Sequence, residues 1–385
     1  MNKPTAELLA PESTELEVSI FGPGYGESIV LHIGNGEWIL VDSCLEPNSR
    51  EPAALQYLSG LGVDVESAVK LIVATHWHDD HVRGLAQIFD KCNSAKVALS
   101  AALRKEEFLA LVALYTNRPM VNTSSLKELI GVFRILEERK AQGSSFNPPK
   151  EASVDRQLYS SRITLLSSGT VDAKIFSVSP SDATLLKAKL AFAGLLQESE
   201  RQPGKVFQSP TPNHSAVVLW VEIGPHLVLL GADLESSDDP EMGWLAVIDR
   251  STVIAGRRDK AKLFKVAHHG AESAHEPRVW DEIISGPPVA ILTPFSRGNR
   301  LLPTTSDRTR IQGLTPSAFI TAKPGGRQYN WRNRVVRDVL KEATRNIRNV
   351  HSGWGHIRLR QPIDGPPDNW RVELFGDAVP LKEVA

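Results

Sequence analysis

The sequence predicts an α/β protein, and three observations carry this prediction. Short segments rich in β-branched and other apolar residues recur between Gly, Pro and Asn, as strands do. Other segments place apolar residues at intervals of three and four, as amphipathic helices do. One apolar run, residues 68–76, ends in a cluster of His and Asp just before a helical segment. Loops between a strand and a helix are where α/β folds usually place their chemistry.

The predicted elements follow one another with few long loops. Predicted strands cover residues 16–43 (two or three strands joined by glycine turns), 68–76, 162–168, 173–180, 215–223, 226–233, 261–270, 289–296, 356–361 and 370–375. Predicted helices cover residues 51–62, 81–89, 101–145, 182–200 and about 331–348. The segment 101–145 is predicted as a helical insertion, with Ser125 and Glu128 as a capping box. Residues 144–160 are predicted as a loop.

The composition is that of an ordinary globular protein. The 385 residues are 41% hydrophobic and 23% charged, which allows a large core in one domain with additions or in two domains. The net charge of −1 gives no global attraction to nucleic acid or anionic membranes, so such binding would need a local patch. Cys44 and Cys92 fit neither a zinc knuckle nor a disulfide scaffold, which favours a reducing compartment.

The amino-terminal segment favours a cytoplasmic protein without membrane contact. It lacks a basic stretch followed by a long apolar run, so no signal peptide is expected. No stretch approaches about eighteen uninterrupted apolar residues, the length that a spanning helix needs. We therefore expect a cytoplasmic location.

The cluster after the predicted strand 68–76 has the residue types of a metal site. His76, His78, Asp80 and His81 occur in the order His-x-His-x-Asp-His, and Zn²⁺ and similar ions prefer imidazole and carboxylate ligands. Two histidines at i and i+2 of an extended segment can point to one side and hold one ion. Asp80 and His81, beyond the turn, can face a second ion. Asp79 occupies the variable position and is expected to face away.

These residues resemble the metallo-β-lactamase superfamily of metallo-hydrolases, whose Thr-His-x-His-x-Asp-His motif is present as THWHDDH. The resemblance implies an αββα sandwich, two mixed β-sheets flanked by helices, here with a helical insertion and a C-terminal extension. The segment ILVDS resembles the first motif of the superfamily, so Asp42 is expected to support the metal ligands from behind. The segment LVLLGADLE matches the position of the carboxylate that bridges two ions, which would be Asp233.

The two remaining histidine motifs of the superfamily are less regular here. LFKVAHHGAES matches the last one, and alignment on its glycine assigns the ligand to His268. His269 is then expected in the pocket, as a residue of the catalytic site without a duty to the metal. The third motif is altered, because His214 stands directly before Ser215. Two interpretations stay open: Asn213 or His214 occupies the ligand position, or His214 contacts substrate or water.

Several segments resemble one branch of the superfamily, the ComEC-like hydrolases, which are related to the soluble domain of the bacterial DNA-uptake channel. They are GPGYGESIVLHIGNGEWILVDS, NHSAVVLWVEIGPHLVLLGADLE, FKVAHHGAES and PPVAILTPFSRGNRLLP. We expect a hydrolase domain over residues 15–310 and a basic C-terminal helix with strands over residues 311–385, packed on this core. The branch often has Gly-His-Pro where this chain has Leu302, so a substrate contact from that histidine would be missing.

The resemblance implies a centre with two divalent ions, Zn²⁺ or alternatively Mn²⁺. The expected ligands are His76, His78 and, if it binds, His214 for the first ion, Asp80, His81 and His268 for the second, and Asp233 for both. A water shared by two cations becomes a hydroxide nucleophile, so no serine or cysteine nucleophile is needed. Asp80 and His269 are the residues expected to act in catalysis.

The branch implies phosphodiesterase or nuclease activity on nucleic acid or nucleotides, and one segment supports this. Residues 321–360 hold ten Lys or Arg against two acids, with aromatic residues between them that can stack on bases. The candidate phosphate-binding residues are Arg332, Arg334, Arg337 and Lys341, and nucleic acid is the expected partner. Alternatively, this segment is a solvated helix whose arginines pair with acids elsewhere.

Two other functions stay open at this point. The same two-ion chemistry attacks carbonyl groups, so the substrate could be an ester, a lactam, a thioester or a peptide. The chain could also be a metal-binding subunit of a larger assembly, with the insertion and the C-terminal segment in contact with protein partners.

Overall fold

The computed structural model describes residues 9–23, 26–103, 124–143, 147–165, 169–201, 212–297, 300–325 and 353–384. Outside the described residues lie the predicted helix 331–348, with Arg332, Arg334, Arg337 and Lys341, and residues 104–123 of the predicted insertion. Within the described ranges, the strands form two eight-stranded sheets and a separate two-stranded hairpin.

The elements have the following bounds. The strands are β1 (Glu15–Pro23), β2 (Ser28–His32), β3 (Trp38–Val41), β4 (Val69–Ala74), β5 (Lys96–Ser100), β6 (Lys150–Ala152), β7 (Arg156–Leu165), β8 (Gly169–Ser177), β9 (Leu219–Ile223), β10 (His226–Leu230), β11 (Ala261–Lys265), β12 (Ile284–Leu292), β13 (Phe295–Arg297), β14 (Arg300–Leu302), β15 (Ala318–Ile320), β16 (Trp354–Pro362), β17 (Arg371–Gly376) and β18 (Val379–Pro380). The α-helices are α1 (Ala53–Gly60), α2 (Val65–Ala68), α3 (Asp79–Val82), α4 (Leu85–Lys91), α5 (Ser124–Gln142), α6 (Asp182–Arg201), α7 (Gly243–Arg250) and α8 (Thr305–Leu314). Shorter helical turns cover Pro212–Ser215, Ala267–Gly270, Glu272–Ala274, Val279–Ile283 and Leu381–Glu383.

The two sheets pack face to face around a shared apolar core. Their strand orders are β17-β16-β1-β2-β3-β4-β5-β6 and β18-β15-β12-β11-β10-β9-β8-β7. Both are mixed, with parallel pairs from β3 to β6 and from β10 through β11 and β12 to β15. Leu16 and Ile20 of β1 belong to the same buried core cluster as Leu219 and Val221 of β9. Helices α1 and α4 cover the first sheet and α7 covers the second, so the predicted αββα fold class is confirmed.

The strand that leads to the metal motif is covered on both faces. All residues of β4 except Lys70 are buried, because the second sheet lies on one side and helices lie on the other. This explains why its sequence, VKLIVA, is apolar without alternation. The predicted loop 144–160 is wrong at β6 and at the start of β7, where polar residues form strands through backbone pairing with β5 and β8.

The insertion contributes α5, which packs on α4 beside the metal motif. Contacts with other elements replace the predicted capping box. Glu128 Oε2 accepts a hydrogen bond from the Ala86 N–H at 3.2 Å, and the Ser125 N–H donates to Asp79 Oδ1 at 2.7 Å. The start of α5 is therefore capped by the metal motif itself.

The strands beyond residue 310 are part of the sandwich. β16 lies between β17 and β1 in the first sheet, and β18 pairs with β15 at the edge of the second. The C-terminal segment therefore contributes to both sheets rather than to a layer outside them. Across the described ranges, no helix is both long and apolar enough to span a membrane.

Candidate metal centre

The candidate centre lies where strands of both sheets end. Residues 76–81 follow β4 of the first sheet. Asp233 follows β10 and His269 follows β11 in the second sheet. Because β10 and β11 are parallel, their carboxyl ends lie side by side. The polar ends of three strands therefore meet at one place between the sheets.

Asp233 is the carboxylate that the other side chains share. Its Oδ1 lies 3.3 Å from His81 Nε2, and its Oδ2 lies 4.0 Å from His76 Nε2. His269 Nε2 lies 3.5 Å from Asp233 Oδ2 and 3.0 Å from Asp80 Oδ2. All five side chains are buried.

Two groups of ligand atoms converge around this carboxylate. The first group consists of His76, His78 and Asp233, and the second of Asp80, His81, Asp233 and His269, with all ligand atoms of a group within 4.8 Å of one another. The side chain of His78 is 38% exposed, whereas that of Asp80, 3.0 Å away, is buried. The centre therefore reaches solvent on the side of His78.

The donor atoms fit a divalent cation. Within the described part of the chain, His76 Nε2, His81 Nε2 and both carboxylate oxygens of Asp233 are buried without a hydrogen-bond partner. An unsatisfied buried polar group costs about 1–3 kcal/mol, so such a cluster of lone pairs needs an explanation. Imidazole nitrogen and carboxylate oxygen are the ligands that Zn²⁺ and Mn²⁺ accept. Two cations, one in each group, would give every one of these atoms a partner.

Hydrogen bonds behind two of the rings orient them. Asp42 Oδ2 accepts from His81 Nδ1 at 2.7 Å and from the Thr75 hydroxyl at 2.6 Å. Because this hydroxyl donates to Asp42, its oxygen accepts from His76 Nδ1, 2.9 Å away. Both rings therefore carry the proton on Nδ1 and present the lone pair of Nε2 to the centre. Asp42 thus lies behind the ring of His81 and, through Thr75, behind that of His76.

His269 is oriented in the same way by Thr293. The Thr293 hydroxyl donates to Glu27 Oε2 at 2.7 Å and lies 3.0 Å from His269 Nδ1. The Nδ1 atom must therefore donate to the Thr293 oxygen, which leaves the Nε2 lone pair for the centre.

His268, by contrast, does not reach the centre. Its Nδ1 lies 3.0 Å from Glu235 Oε1, and its Nε2 lies 3.2 Å from Asn213 Nδ2. His268 and His269 both have left-handed backbone conformations, with φ of 47° and 56°. In an extended strand, successive side chains point to opposite faces. The left-handed turn changes these directions, and His269 is the histidine that faces Asp233. The structure therefore places His269, and not His268, beside Asp233.

His214 also lies outside all three groups of candidate ligand atoms found in the described residues. Its Nε2 is 3.8 Å from Glu235 Oε2, and its side chain is 39% exposed. Burial opposes ionisation of Glu235, but His268 and Asn213 hold its pKa below the ordinary value. Of the two interpretations left open, the position of His214 fits contact with substrate or water.

Asp79 lies outside the groups of candidate ligand atoms among the described residues, and its side chain points to other parts of the chain. Its carboxylate is buried, with Oδ1 bound to the Ser125 N–H at 2.7 Å and Oδ2 at 3.3 Å from Arg297 Nη1. The first turn of α3 directs this side chain towards the insertion and the β13–β14 hairpin. Asp79 thus ties the metal motif to two other parts of the chain.

Glu27 and Lys265 are residues of the site that the sequence analysis missed. Lys265 Nζ lies 2.7 Å from Glu27 Oε1 and 3.7 Å from Asp233 Oδ1, and all three side chains are fully buried. The available signal was a lysine inside the apolar strand LFKVA, because a buried ammonium group needs a carboxylate partner. The acid of GYGES is that partner.

The charges of the centre favour a bound cation. Burial raises the pKa of Asp80, but His81 and hydrogen bonds with His269 and His78 hold it well below the ordinary value. Burial also opposes protonation of His81, yet Asp233, Asp80 and Asp42 raise its pKa well above the ordinary value, so without a metal ion a proton takes the place on Nε2 that a bound cation would fill. Carboxylates that stay ionised while buried form a negative pocket, which attracts positive charge.

The metallo-beta-lactamase superfamily model matches residues 21–123, a segment that contains THWHDDH and Asp42 but not Asp233 or His269. No curated protein matches the sequence.

Three solved structures are among those similar to this chain. The metallo-beta-lactamase fold protein YhfI from Bacillus subtilis is 13% identical, with 80% of this chain and 95% of that one covered and a TM-score of 0.40. The metallo-beta-lactamase from Cronobacter sakazakii with an HARLDQ motif is 14% identical, with 64% and 73% covered and a TM-score of 0.32. Zn²⁺-bound PqqB from Methylobacterium extorquens is 12% identical, with 64% and 71% covered and a TM-score of 0.31. Likeness at this level does not extend to activity or substrate.

Proposed function

We propose that this protein is a metal-dependent hydrolase that cleaves phosphodiester bonds. The observation that carries the metal dependence is the set of buried lone pairs of His76, His81 and Asp233 that lack partners among the described residues. Members of the superfamily that matches residues 21–123 are mostly metallo-hydrolases, which agrees with this proposal.

The proposed ligands follow the two convergent groups. His76, His78 and Asp233 would hold one ion, and Asp80, His81, Asp233 and His269 the other. When bound, two divalent ions lower the pKa of a shared water and offset negative charge on the scissile group. His269 thus takes the ligand role first expected of His268.

The protein's own contribution is to hold these side chains before substrate arrives. Asp42 and Thr75 fix the rings of His81 and His76, and Thr293 fixes that of His269. Because the rings cannot turn, little reorganisation is needed during the reaction. Substrate would enter on the exposed side, between His78 and His214.

The choice of a phosphodiester is supported by the ComEC-like segments. Two of them supply Glu27 and Lys265, whose buried pair lies beside Asp233. This pair belongs to the reactive centre, so the resemblance includes residues in contact with the proposed ligands. Hydrolysis of a carbonyl bond is the competing outcome in the test.

The test is a substrate panel with metal-loaded protein. We expect about two Zn²⁺ or Mn²⁺ ions per chain and cleavage of bis(p-nitrophenyl) phosphate and of linear, circular or single-stranded nucleic acid. Asp233→Asn, which keeps the shape but removes the shared charge, should lower kcat at least 100-fold. Asp172→Asn is the matched control, because Asp172 is exposed and pairs only with surface cations among the described residues.

The panel also contains a β-lactam, a thioester and a peptide. Cleavage of one of these, without cleavage of any phosphodiester, would overturn the phosphodiester proposal and leave metal-dependent hydrolysis. Protein without bound ions after metal loading would overturn the whole assignment. Full loading without any cleavage would favour a metal-binding subunit that needs a partner.

A further inference from the structure

The β13–β14 hairpin carries two arginines next to the candidate centre. In this hairpin Phe295 pairs with Leu302, Ser296 with Leu301, and Arg297 with Arg300. Directly opposite residues of an antiparallel pair lie on the same face, and so do residues two apart on one strand. Phe295, Arg297, Arg300 and Leu302 therefore share one face.

This shared face is the one turned towards the metal centre. Phe295 and Leu302 pack on Ala271, and the Phe295 ring lies 5.4 Å from that of His269 between centroids. The opposite face looks elsewhere, since Ser296 Oγ accepts from the Gly325 N–H at 2.9 Å. The apolar base of the hairpin thus rests on the centre, and the two arginines lie farther along the same face.

One of these arginines is held by the metal motif. Arg297 Nη1 lies 3.3 Å from Asp79 Oδ2, and Asp79 is the immediate neighbour of the ligand Asp80. The Arg297 side chain is 58% exposed, beside the centre. Arg297 therefore lies at the rim of the metal centre, and its contact with Asp79 does not bury its side chain.

The second arginine, Arg300, places a like charge directly opposite Arg297. Side chains directly opposite each other in an antiparallel pair are about 5 Å apart at Cβ, and like charges there destabilise the pair. Arg300 is exposed and has no ion pair with any residue in the described ranges, so its own charge is not balanced by an acid there. An anion between the guanidinium groups would relieve this repulsion. Arginine is suited to that role, because its planar fork binds phosphate oxygens in pairs.

We propose that Arg297 and Arg300 form a phosphate clamp, which binds the non-bridging oxygens of a substrate phosphate at the rim of the metal centre. This inference rests on the proposed phosphodiester substrate and specifies which residues recognise it. The clamp would supply a substrate contact on the segment where Leu302 replaces the histidine of the branch. It acts in binding and orientation, and no bond is made or broken by either arginine.

The test compares Arg297→Gln, Arg300→Gln and the double variant with wild type, all loaded with metal. Arg162→Gln is the matched control, because Arg162 is also exposed and lies 3.7 Å from an acid, Asp172, on an outer strand. With bis(p-nitrophenyl) phosphate and thymidine dinucleotide as substrates, we expect KM to rise about 10-fold or more in each single variant, since charge-assisted hydrogen bonds are lost. Metal content, melting temperature and kcat should change little. The lysine variants at both positions should recover only part of the affinity.

A second measurement separates this inference from the proposed function. Binding of a phosphorothioate thymidine dinucleotide, followed by calorimetry at several salt concentrations, does not require turnover. We expect each glutamine variant to bind more weakly and to reduce the slope of log Kd against log salt by about one. Weaker binding in the variants without cleavage by wild type would support the clamp and refute phosphodiester hydrolysis. Cleavage by wild type with unchanged KM and unchanged salt slope in the double variant would refute the clamp alone.

Discussion

Lys265 Nζ lies 2.7 Å from Glu27 Oε1 in a part of the core where both side chains are fully buried. Removing one partner of such a pair leaves a buried charge alone, so we expect Lys265→Met to lower the free energy of unfolding by about 3–5 kcal/mol. Glu27→Gln combined with Lys265→Met should recover part of this loss, because no unpaired charge remains on either residue.

Urea denaturation of metal-free protein measures both effects. Lys262→Met is the control on the same strand, since Lys262 is only partly buried and should contribute less than about 1 kcal/mol. If the double variant lost as much unfolding free energy as the Glu27→Gln and Lys265→Met variants lose together, the two side chains would not be coupled. The pairing would then not explain the instability of the single variants.

The two adjacent histidines after β11 should differ in metal binding. His269→Ala removes an Nε2 that faces Asp80 and Asp233, so we expect about one bound ion instead of about two. His268→Ala removes a ring that contacts Asn213 and Glu235, and it should retain both ions. Metal analysis after gel filtration measures the number of ions bound to each variant. Loss of an ion from His268→Ala, with both ions retained in His269→Ala, would instead support the assignment from the glycine alignment.

Asp42 should affect the affinity for metal without binding it. Asp42→Asn weakens the acceptor that holds His81 Nδ1 and the Thr75 hydroxyl, so the lone pairs of two rings lose their orientation. Loss of such a supporting partner typically costs 10-fold to 100-fold in metal affinity. Competition with a chromogenic chelator measures this change, with Asp172→Asn as the exposed control. An unchanged affinity would show that the rings are held by packing alone.

Asp79 should contribute to stability rather than to metal binding. Asp79→Ala removes the acceptor of the Ser125 N–H at the start of α5, and loss of a cap costs about 1 kcal/mol. We expect a lower urea midpoint with unchanged metal content. Loss of an ion in this variant would identify Asp79 as a ligand and contradict the hydrogen bonds described above.

Acid should destabilise the fold partly through His32. Burial lowers the pKa of His32 to about 4, an effect that the carbonyl of Glu15 and the carboxylate of Glu37 oppose and Arg360 reinforces. In the unfolded chain its pKa is about 6.5, so between pH 6.5 and 4 the unfolded state binds a proton that the folded state does not. Stability therefore falls as the pH falls through this window, by roughly 3 kcal/mol once pH 4 is reached.

The matched variant is His32→Gln, which cannot titrate. Urea denaturation at pH 7 and at pH 4 should show a smaller loss of stability in the variant than in wild type. Equal losses would mean that other buried groups, such as His356, account for the acid sensitivity; burial also lowers the pKa of His356.

Much of the fold was predictable because it depends on local patterns. The apolar run of β4 and the alternation of apolar segments with glycine turns predict most of the strands inside the two sheets, whereas β5 and β15 were not predicted. β6 escaped prediction because it has only three residues, two of them exposed, and is held by backbone pairing with β5. Hydrophobic patterning carries no information about such an edge strand.

The candidate site divides in the same way. The residue types of THWHDDH, Asp42 and Asp233, and their places at strand ends, were sufficient to predict which side chains gather at the candidate site. The tertiary structure alone decided that His269 rather than His268 faces Asp233, because a left-handed turn sets the direction of both rings.

Only the tertiary structure also paired Glu27 with Lys265 and Asp79 with Arg297, which lies 218 residues away along the chain. Such contacts depend on how two sheets and an insertion pack together. Local propensity and spacing do not determine them, because long-range pairing of charges follows from burial that the whole fold creates.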